Sequence, residues 1–63
     1  MSQSRAAALA KIPRPYSLAL RLRDLGASRD LITECLAIEP EALDPLLHLA
    51  EAKLAAAQGI DAD

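Results

Sequence analysis

The chain has 63 residues, of which 52% are apolar and 25% are charged, and its formal net charge is −2. This apolar content is too high for a disordered chain, and the length allows a single small domain. One cysteine, Cys35, excludes an internal disulfide and a zinc site made of thiolates. The longest apolar run, Ala6 to Ala10, is far below the roughly 20 residues of a membrane helix. We therefore expect a cytoplasmic protein that does not enter a membrane.

The distribution of apolar residues and helix breakers predicts an all-α fold. Alanine and leucine dominate the chain, Tyr16 is its one aromatic residue, and no run of β-branched residues alternates with polar ones. Prolines and glycines separate the helical segments. We predict a basic arm with a proline-rich spacer at residues 1–16, a three-helix bundle with a helix-turn-helix core at 17–58, and an acidic tail at 59–63.

The arm is predicted to contain a short helix within residues 4–11. This helix should stop near Ile12, because a proline disfavours helical geometry in the residue before it, and residues 13–15 should form an extended spacer. Two arrangements of the arm stay open at this point. Either the arm is mobile, or Leu9 and Ile12 fold back over Leu20.

Serine caps and a glycine stop define the first two predicted helices of the domain. Ser17 is expected to cap a helix at residues 18–25, which ends at Gly26, and Ser28 is expected to cap a second helix at 29–37. Apolar residues at helical spacing indicate the buried side of each helix. The predicted buried residues are Leu18, Leu22 and Leu25 in the first helix, and Leu31 or Ile32, Cys35 and Leu36 in the second.

The third predicted helix, from Pro40 to Ala57, has the clearest apolar periodicity in the chain. Pro45 lies inside it and has no backbone N–H, so the helix either bends there or starts again with Asp44 as its cap. We favour the restart. The predicted buried face consists of Leu43, Leu46, Leu47, Ala50, Leu54 and Ala57.

The second and third helices have the spacing of a helix-turn-helix, and Ile38 is the apolar residue after the turn that holds such helices together. The sequence ITECLAIE at residues 32–39, followed by Ala42-Leu43, resembles the helix-turn-helix of region 4 of sigma-70-type factors, and HLAEAKL at 48–54 resembles the end of that region. The similarity covers about residues 18–57. It implies a trihelical fold whose last helix enters the major groove of promoter DNA.

The residues at the DNA-contacting positions differ from the family pattern. Asp44, Leu49 and Glu51 occupy positions where the family has lysine or arginine. Pro45 replaces a serine, and Ala37 replaces the turn glycine. These exchanges remove the cations with which the family's last helix holds DNA.

Formal charge is divided unevenly between the two halves of the chain. Residues 1–38 contain six basic and three acidic residues, a net charge of +3, whereas residues 39–63 contain one basic and six acidic residues, a net charge of −5. An acidic helix opposes binding to DNA, because proteins gain affinity for this polyanion by neutralising its phosphates. The charge distribution therefore favours protein contacts over DNA contacts for the last helix.

We predict a small non-enzymatic regulatory or adaptor protein, associated with transcription, that acts through protein contacts. The acidic last helix would meet a basic partner surface or the basic half of a second copy, and the helical wheel predicts that Leu20 and Leu49 are exposed. A subunit of a larger complex unrelated to transcription fits the same features. The candidate partner-binding residues are Leu20, Asp44, His48, Leu49, Glu51 and Ala52.

The alternative hypothesis is a dimeric helix-turn-helix regulator that binds DNA. A mobile arm could place cations in the minor groove or along the backbone, and a hydroxyl in the second helix could reach a phosphate. The sequence pI of about 5.2 opposes this hypothesis, because nucleic-acid-binding domains are usually basic. The candidate nucleic-acid contacts are Arg14, Arg21, Arg23, Arg29 and Thr33, with Arg5 and Lys11 as further cations.

No catalytic, cofactor-binding or metal-binding residues are predicted. His48 lies one turn from Asp44 and near Glu51, a set with too few ligands for a stable metal site, so these side chains are expected to pair on the helix surface. Cys35 is expected to be buried and unreactive. The chain also has no glycine-rich phosphate loop, and its length leaves little room for a substrate cleft.

Overall fold

Four α-helices and one short 3-10 turn make up the regular structure of the computed structural model, which describes residues 5–59. These residues contain no β-strand, so the predicted all-α class is confirmed. None of the described helices is long and apolar enough to cross a membrane. The predicted acidic tail lies outside the described residues apart from Gly59. In chain order the elements are α1 (Arg5–Leu9), α2 (Arg14–Asp24), α3 (Arg29–Leu36), the 3-10 turn (Pro40–Ala42) and α4 (Leu43–Ala57).

Helix α2 begins four residues before the predicted start, so the extended spacer and the Ser17 cap are wrong. Pro13 is the N-cap, with φ −57° and ψ 148°, and Pro15 lies in the first turn, where a missing backbone N–H removes no helical hydrogen bond. Ser17 lies inside the helix and is nearly buried, and its Oγ donates to the carbonyl oxygen of Arg14 at 3.2 Å. Pro13 at the N-cap and Pro15 in the first turn are therefore compatible with a helix that begins at Arg14.

The ends of α2 and α3 close with the same hydrogen-bond pattern, and the predicted stop at Gly26 and cap at Ser28 are confirmed. Gly26 has φ +85°, and the next residue, Ala27, donates its N–H to the carbonyl of Leu22. Ser28 Oγ accepts from the N–H of Leu31 at 3.1 Å, which caps α3. Both features are short-range, so they follow from the local sequence.

Helix α3 ends at Ala37, which has the left-handed conformation with φ 58° and ψ 45°. Ile38 then donates its N–H to the carbonyl of Thr33 at 3.1 Å, as Ala27 does at the end of α2. An alanine therefore occupies a conformation that glycine adopts more easily. Ile38 is half-buried and packs against the core, in agreement with its predicted role after the turn.

Helix α4 starts directly after the 3-10 turn, so the predicted restart, with Asp44 as the cap and Pro45 as the first residue, is wrong in its position. Its first residue is Leu43, and Pro45 is the third residue of the helix, where no intrahelical partner for its N–H is needed. Asp44 is inside the first turn and is not the cap, because the helix begins two residues earlier than expected. The predicted buried face is confirmed: Leu43, Ala50 and Leu54 are buried, and Leu46, Leu47 and Ala57 are half-buried.

Buried side chains form two clusters that meet at Leu47 of α4. The first cluster joins the arm to α2 and α4, and the second joins α2, α3 and α4. Half-buried side chains surround both. The buried members of the first cluster are Ala8, Leu9, Ile12, Leu20, Ala50 and Leu54, and those of the second are Ala19, Ile32 and Leu43.

The arm is folded back onto the helices, as in the second of the two arrangements considered above. Leu9 and Ile12 pack in the first cluster with Leu20, which has no exposed surface. The predicted exposure of Leu20 is therefore wrong, because the arm covers the side of α2 that a bare three-helix unit would leave open. Leu25 is 82% exposed instead, since it follows the last residue of α2 at the turn.

Helix α3 buries a narrower stripe than predicted. Ile32 is buried and Leu36 is half-buried, but Leu31 and Cys35 are exposed. The predicted burial of Cys35 is wrong, because this eight-residue helix turns only the side containing Ile32 and Leu36 toward the core. Thr33 is the one polar residue of α3 that is buried.

Candidate functional site

Three ion pairs connect the helices at the surface. Each involves side chains that are 40% exposed or more, so each contributes little to the free energy of folding, about 0–1 kcal/mol. They still fix which charges are available to a partner. The pairs are Arg5–Asp24 at 3.0 Å, Arg29–Asp44 at 2.9 Å, and Arg23–Glu51.

The ion pairs connect the two sets of residues that the sequence assigned to different partners. Asp44 and Glu51 were expected to meet a basic surface of another molecule, and they pair with Arg29 and Arg23 of the same chain. Both carboxylates are therefore engaged within the chain, and their expected pairing with a partner stays a prediction. The same contacts occupy two of the four arginines that were candidate DNA contacts.

Six exposed residues on one side of α4 form a surface that we call the outward face of α4. They are Pro45, His48, Leu49, Ala52, Ala55 and Ala56. At 3.6 residues per turn these positions lie within about 120° of each other and extend for about 17 Å along the axis. The face has no aspartate, glutamate, lysine or arginine, and His48 is its one ionisable residue. Leu49, halfway along its length, is 47% exposed, which confirms its predicted exposure.

A shallow depression adjoins this face where α2 meets α4. It has a volume of about 160 Å³ and is lined by Arg23, Leu47, His48 and Glu51. Pockets for small ligands usually enclose about 300–1,000 Å³, so this depression is too small for a substrate or an organic cofactor. Within residues 5–59, no group of three or more His, Cys, Asp and Glu side chains is arranged to hold a metal ion.

The remaining residues of the DNA hypothesis are exposed arginines of α2 and a threonine of α3. Arg14 and Arg21 are exposed on α2, and neither has an ion-pair partner within residues 5–59. Lys53 lies over the ring of Tyr16 at 5.3 Å from its centre. Thr33 is 8% exposed, and its hydroxyl donates to the carbonyl of Asp30 at 2.9 Å within α3.

Sequence reasoning found the centre of the outward face of α4 but not its extent. His48, Leu49 and Ala52 were predicted as partner-binding residues, whereas Pro45, Ala55 and Ala56 were not assigned to this face. The helical spacing from Leu49 contains the missing signal, because positions four before and seven after it lie on the same side. The exposure of Leu25 was missed because that residue was assigned to the core, whereas for α3 the alternative of a buried Ile32 in place of Leu31 is the one found.

Comparison of the chain with protein-family models, with curated protein sequences and with solved structures finds no match. We therefore infer function from the surface chemistry of residues 5–59. Two features of that surface matter most: an uncharged outward face on α4, and a set of arginines already paired with carboxylates of the same chain.

Proposed function

We propose that this protein is a small non-enzymatic regulatory or adaptor protein that binds another protein through the outward face of α4. The observation that carries the proposal is the absence of formally charged residues from six exposed positions of one helix face. Exposed helix faces are normally polar, and the centres of protein interfaces are depleted in charge. Alanines on this face let the backbone of a partner approach closely, and Leu49 supplies the largest apolar side chain.

The proposed fold of this binding module is a helix-turn-helix like that of region 4 of sigma-70-type factors, with α4 in the position of the recognition helix. Two local features support this likeness. Ala37 has the left-handed backbone at the place of the family's turn glycine, and Ile38 packs in the second cluster. An association with transcription follows from the same likeness and is part of the proposal, as is membership of a larger complex.

The second candidate function is DNA binding by a dimer. It is favoured by Arg14 and Arg21, which are exposed, seven residues apart and therefore on one side of α2. It is opposed by the pairing of Arg23 and Arg29 with carboxylates and by the lack of lysine and arginine on the outward face of α4. Few counterions would therefore be released on binding, and the affinity for a DNA duplex would be low.

The test of the protein-binding proposal is a comparison of lysine variants of exposed residues. Leu49→Lys and Ala52→Lys place a charge in the outward face of α4, and Ala6→Lys places the same charge on α1. We expect that proteins from the source cell bind the wild type and Ala6→Lys and do not bind either α4 variant. A purified partner should then bind the α4 variants about tenfold more weakly or worse, because a charge at an interface centre must be desolvated.

Circular dichroism is the control for folding, since all three positions are exposed and should leave the helix content unchanged. If a partner binds all four proteins equally, the outward face of α4 is not the binding surface.

Mobility-shift titration with random duplex tests the second function. Binding at low salt that weakens steeply as salt rises, and that is lost in Arg14→Glu/Arg21→Glu, would favour DNA over protein as the ligand.

A further inference from the structure

The charges that remain after the three internal ion pairs are segregated along the chain. Two of the nine acidic residues lie outside residues 5–59, which leaves seven acidic and seven basic residues, and three of each are paired. The four acidic side chains without an ion-pair partner in this range all fall within residues 30–41, and three of the four basic ones within residues 11–21. They are Asp30, Glu34, Glu39 and Glu41, and Lys11, Arg14, Arg21 and Lys53.

The unpaired cations of α2 share one side of the helix with an exposed leucine. Arg14, Arg21 and Leu25 follow at intervals of seven and four residues, which places them within about 40° of one another around the axis. All three are exposed, and Leu25 is the most exposed large apolar side chain among the described residues. We call these three residues the basic face of α2.

Helix α3 has the complementary arrangement on the side away from its buried Ile32. Asp30 and Glu34 are exposed and one turn apart, and Leu31 lies beside them with 44% of its surface exposed. We call these three residues the acidic face of α3. Each face therefore combines two like charges with one exposed leucine, and the signs of the charges are opposite.

We propose that the basic face of α2 binds the acidic face of α3 in a second copy of the chain, so that the protein forms a homodimer. Charge complementarity is the reason for this occupant, because one chain carries both halves of the contact. In a symmetric pair each copy supplies both faces, and every contact is made twice. The two helices pack against each other and are joined by only a few residues around Gly26, so the two faces lie on neighbouring helices.

This dimer goes beyond the proposed function, because it leaves the outward face of α4 available to a different protein. Ion pairs between exposed side chains are weak and are screened by salt. We therefore expect an association that is visible at about 100 μM protein in low salt and that declines at about 0.5 M salt, where the Debye length is only about 4 Å. Association driven by apolar surface would not decline in this way.

Two charge-reversed variants test the contact by sedimentation velocity. Arg14→Glu/Arg21→Glu makes both faces acidic, and Asp30→Lys/Glu34→Lys makes both faces basic. Each variant alone should be monomeric, with an association constant about tenfold lower than the wild type or less, because like charges then face each other. An equimolar mixture should recover the dimer, since each face of one variant again meets the opposite charge on the other.

An uncharged pair of variants separates this contact from general attraction between oppositely charged proteins. Leu25→Ser should lower the dimer fraction of the wild type, whereas Leu49→Ser, on the outward face of α4, should leave it unchanged. Circular dichroism should show folded helices in every variant. A wild type that stays monomeric in low salt overturns the proposal, as does a dimer weakened by Leu49→Ser but not by Leu25→Ser. Neither result affects partner binding by the α4 face, which is measured separately.

Discussion

The two clusters of the core are built from different kinds of contact. The second cluster joins helices that are neighbours in the chain, and its caps and turns are local. The first cluster depends on Leu9 and Ile12, which meet Ala50 and Leu54 from the opposite end of the chain. Helix α1 has five residues and would not be stable alone, so its structure depends on this packing. Local signals therefore account for the second cluster, and long-range contact is needed for the first.

The largest expected effect comes from truncating a leucine that the arm covers. Leu20→Ala removes a fully buried side chain and should lower the free energy of unfolding by about 3 kcal/mol. Leu25→Ala, on the same helix but 82% exposed, is the matched control and should change it by less than about 0.5 kcal/mol. Urea unfolding followed by circular dichroism measures both.

These two variants distinguish the folded-back arm from a mobile arm. If the arm did not cover α2, Leu20→Ala would be as mild as Leu25→Ala. A chain this small has about 3–5 kcal/mol of net stability, so the Leu20 variant should retain only about 0–2 kcal/mol and unfold at a much lower urea concentration. Comparable stability of the two variants would show that the first cluster is not formed in solution.

An intermediate effect is expected when the arm itself is loosened. Leu9→Ala removes most of a buried side chain from α1 and should cost about 2 kcal/mol in the first cluster. Because the second cluster contains no residue of the arm, we expect faster amide exchange at Leu9 and Leu20 than at Ile32. Equal acceleration at all three amides would mean that the two clusters unfold as one unit.

The smallest expected effect concerns the end of α3, which belongs to the local part of the fold. Ala37→Gly should raise the free energy of unfolding by about 0.5–1 kcal/mol, because glycine adopts the left-handed conformation without the strain that alanine has there. Ala55→Gly, an exposed position inside α4, should lower it by about 1 kcal/mol. Opposite shifts in melting temperature would confirm the conformation at Ala37, and a loss of stability in both variants would contradict it.

Local signals predicted part of the fold well, and most of the failures concern α2. The Ser28 cap, the Gly26 stop and the buried face of α4 are confirmed, because each depends on neighbours within one or two turns. The buried side of α2 includes Ser17 and Ala19, which hydrophobicity does not identify. Small residues are buried there because other elements pack closely against α2 on several sides, and that crowding is a property of the assembled helices.

The candidate site was predicted in its position but not in its chemistry. Exposure of Leu49 and His48 follows from the wheel of α4, because the opposite side of that helix is so clearly apolar. The pairing of Asp44 and Glu51 with arginines of α2 and α3 could not be predicted, since it requires the relative placement of three helices. The outward face of α4 is therefore uncharged, and the carboxylates beside it, Asp44 and Glu51, are paired with arginines.

The order of amino acids alone determined where α2 ends, where α3 begins and which side of α4 is apolar. Backbone hydrogen bonds, caps and helical periodicity act over a few residues, so they are written in the local sequence. Only the tertiary structure decided that the arm covers Leu20, that Leu25 is exposed, and that Arg5, Arg23 and Arg29 are paired within the chain. Those outcomes depend on contacts between distant segments, whose free energy arises only when the helices pack together.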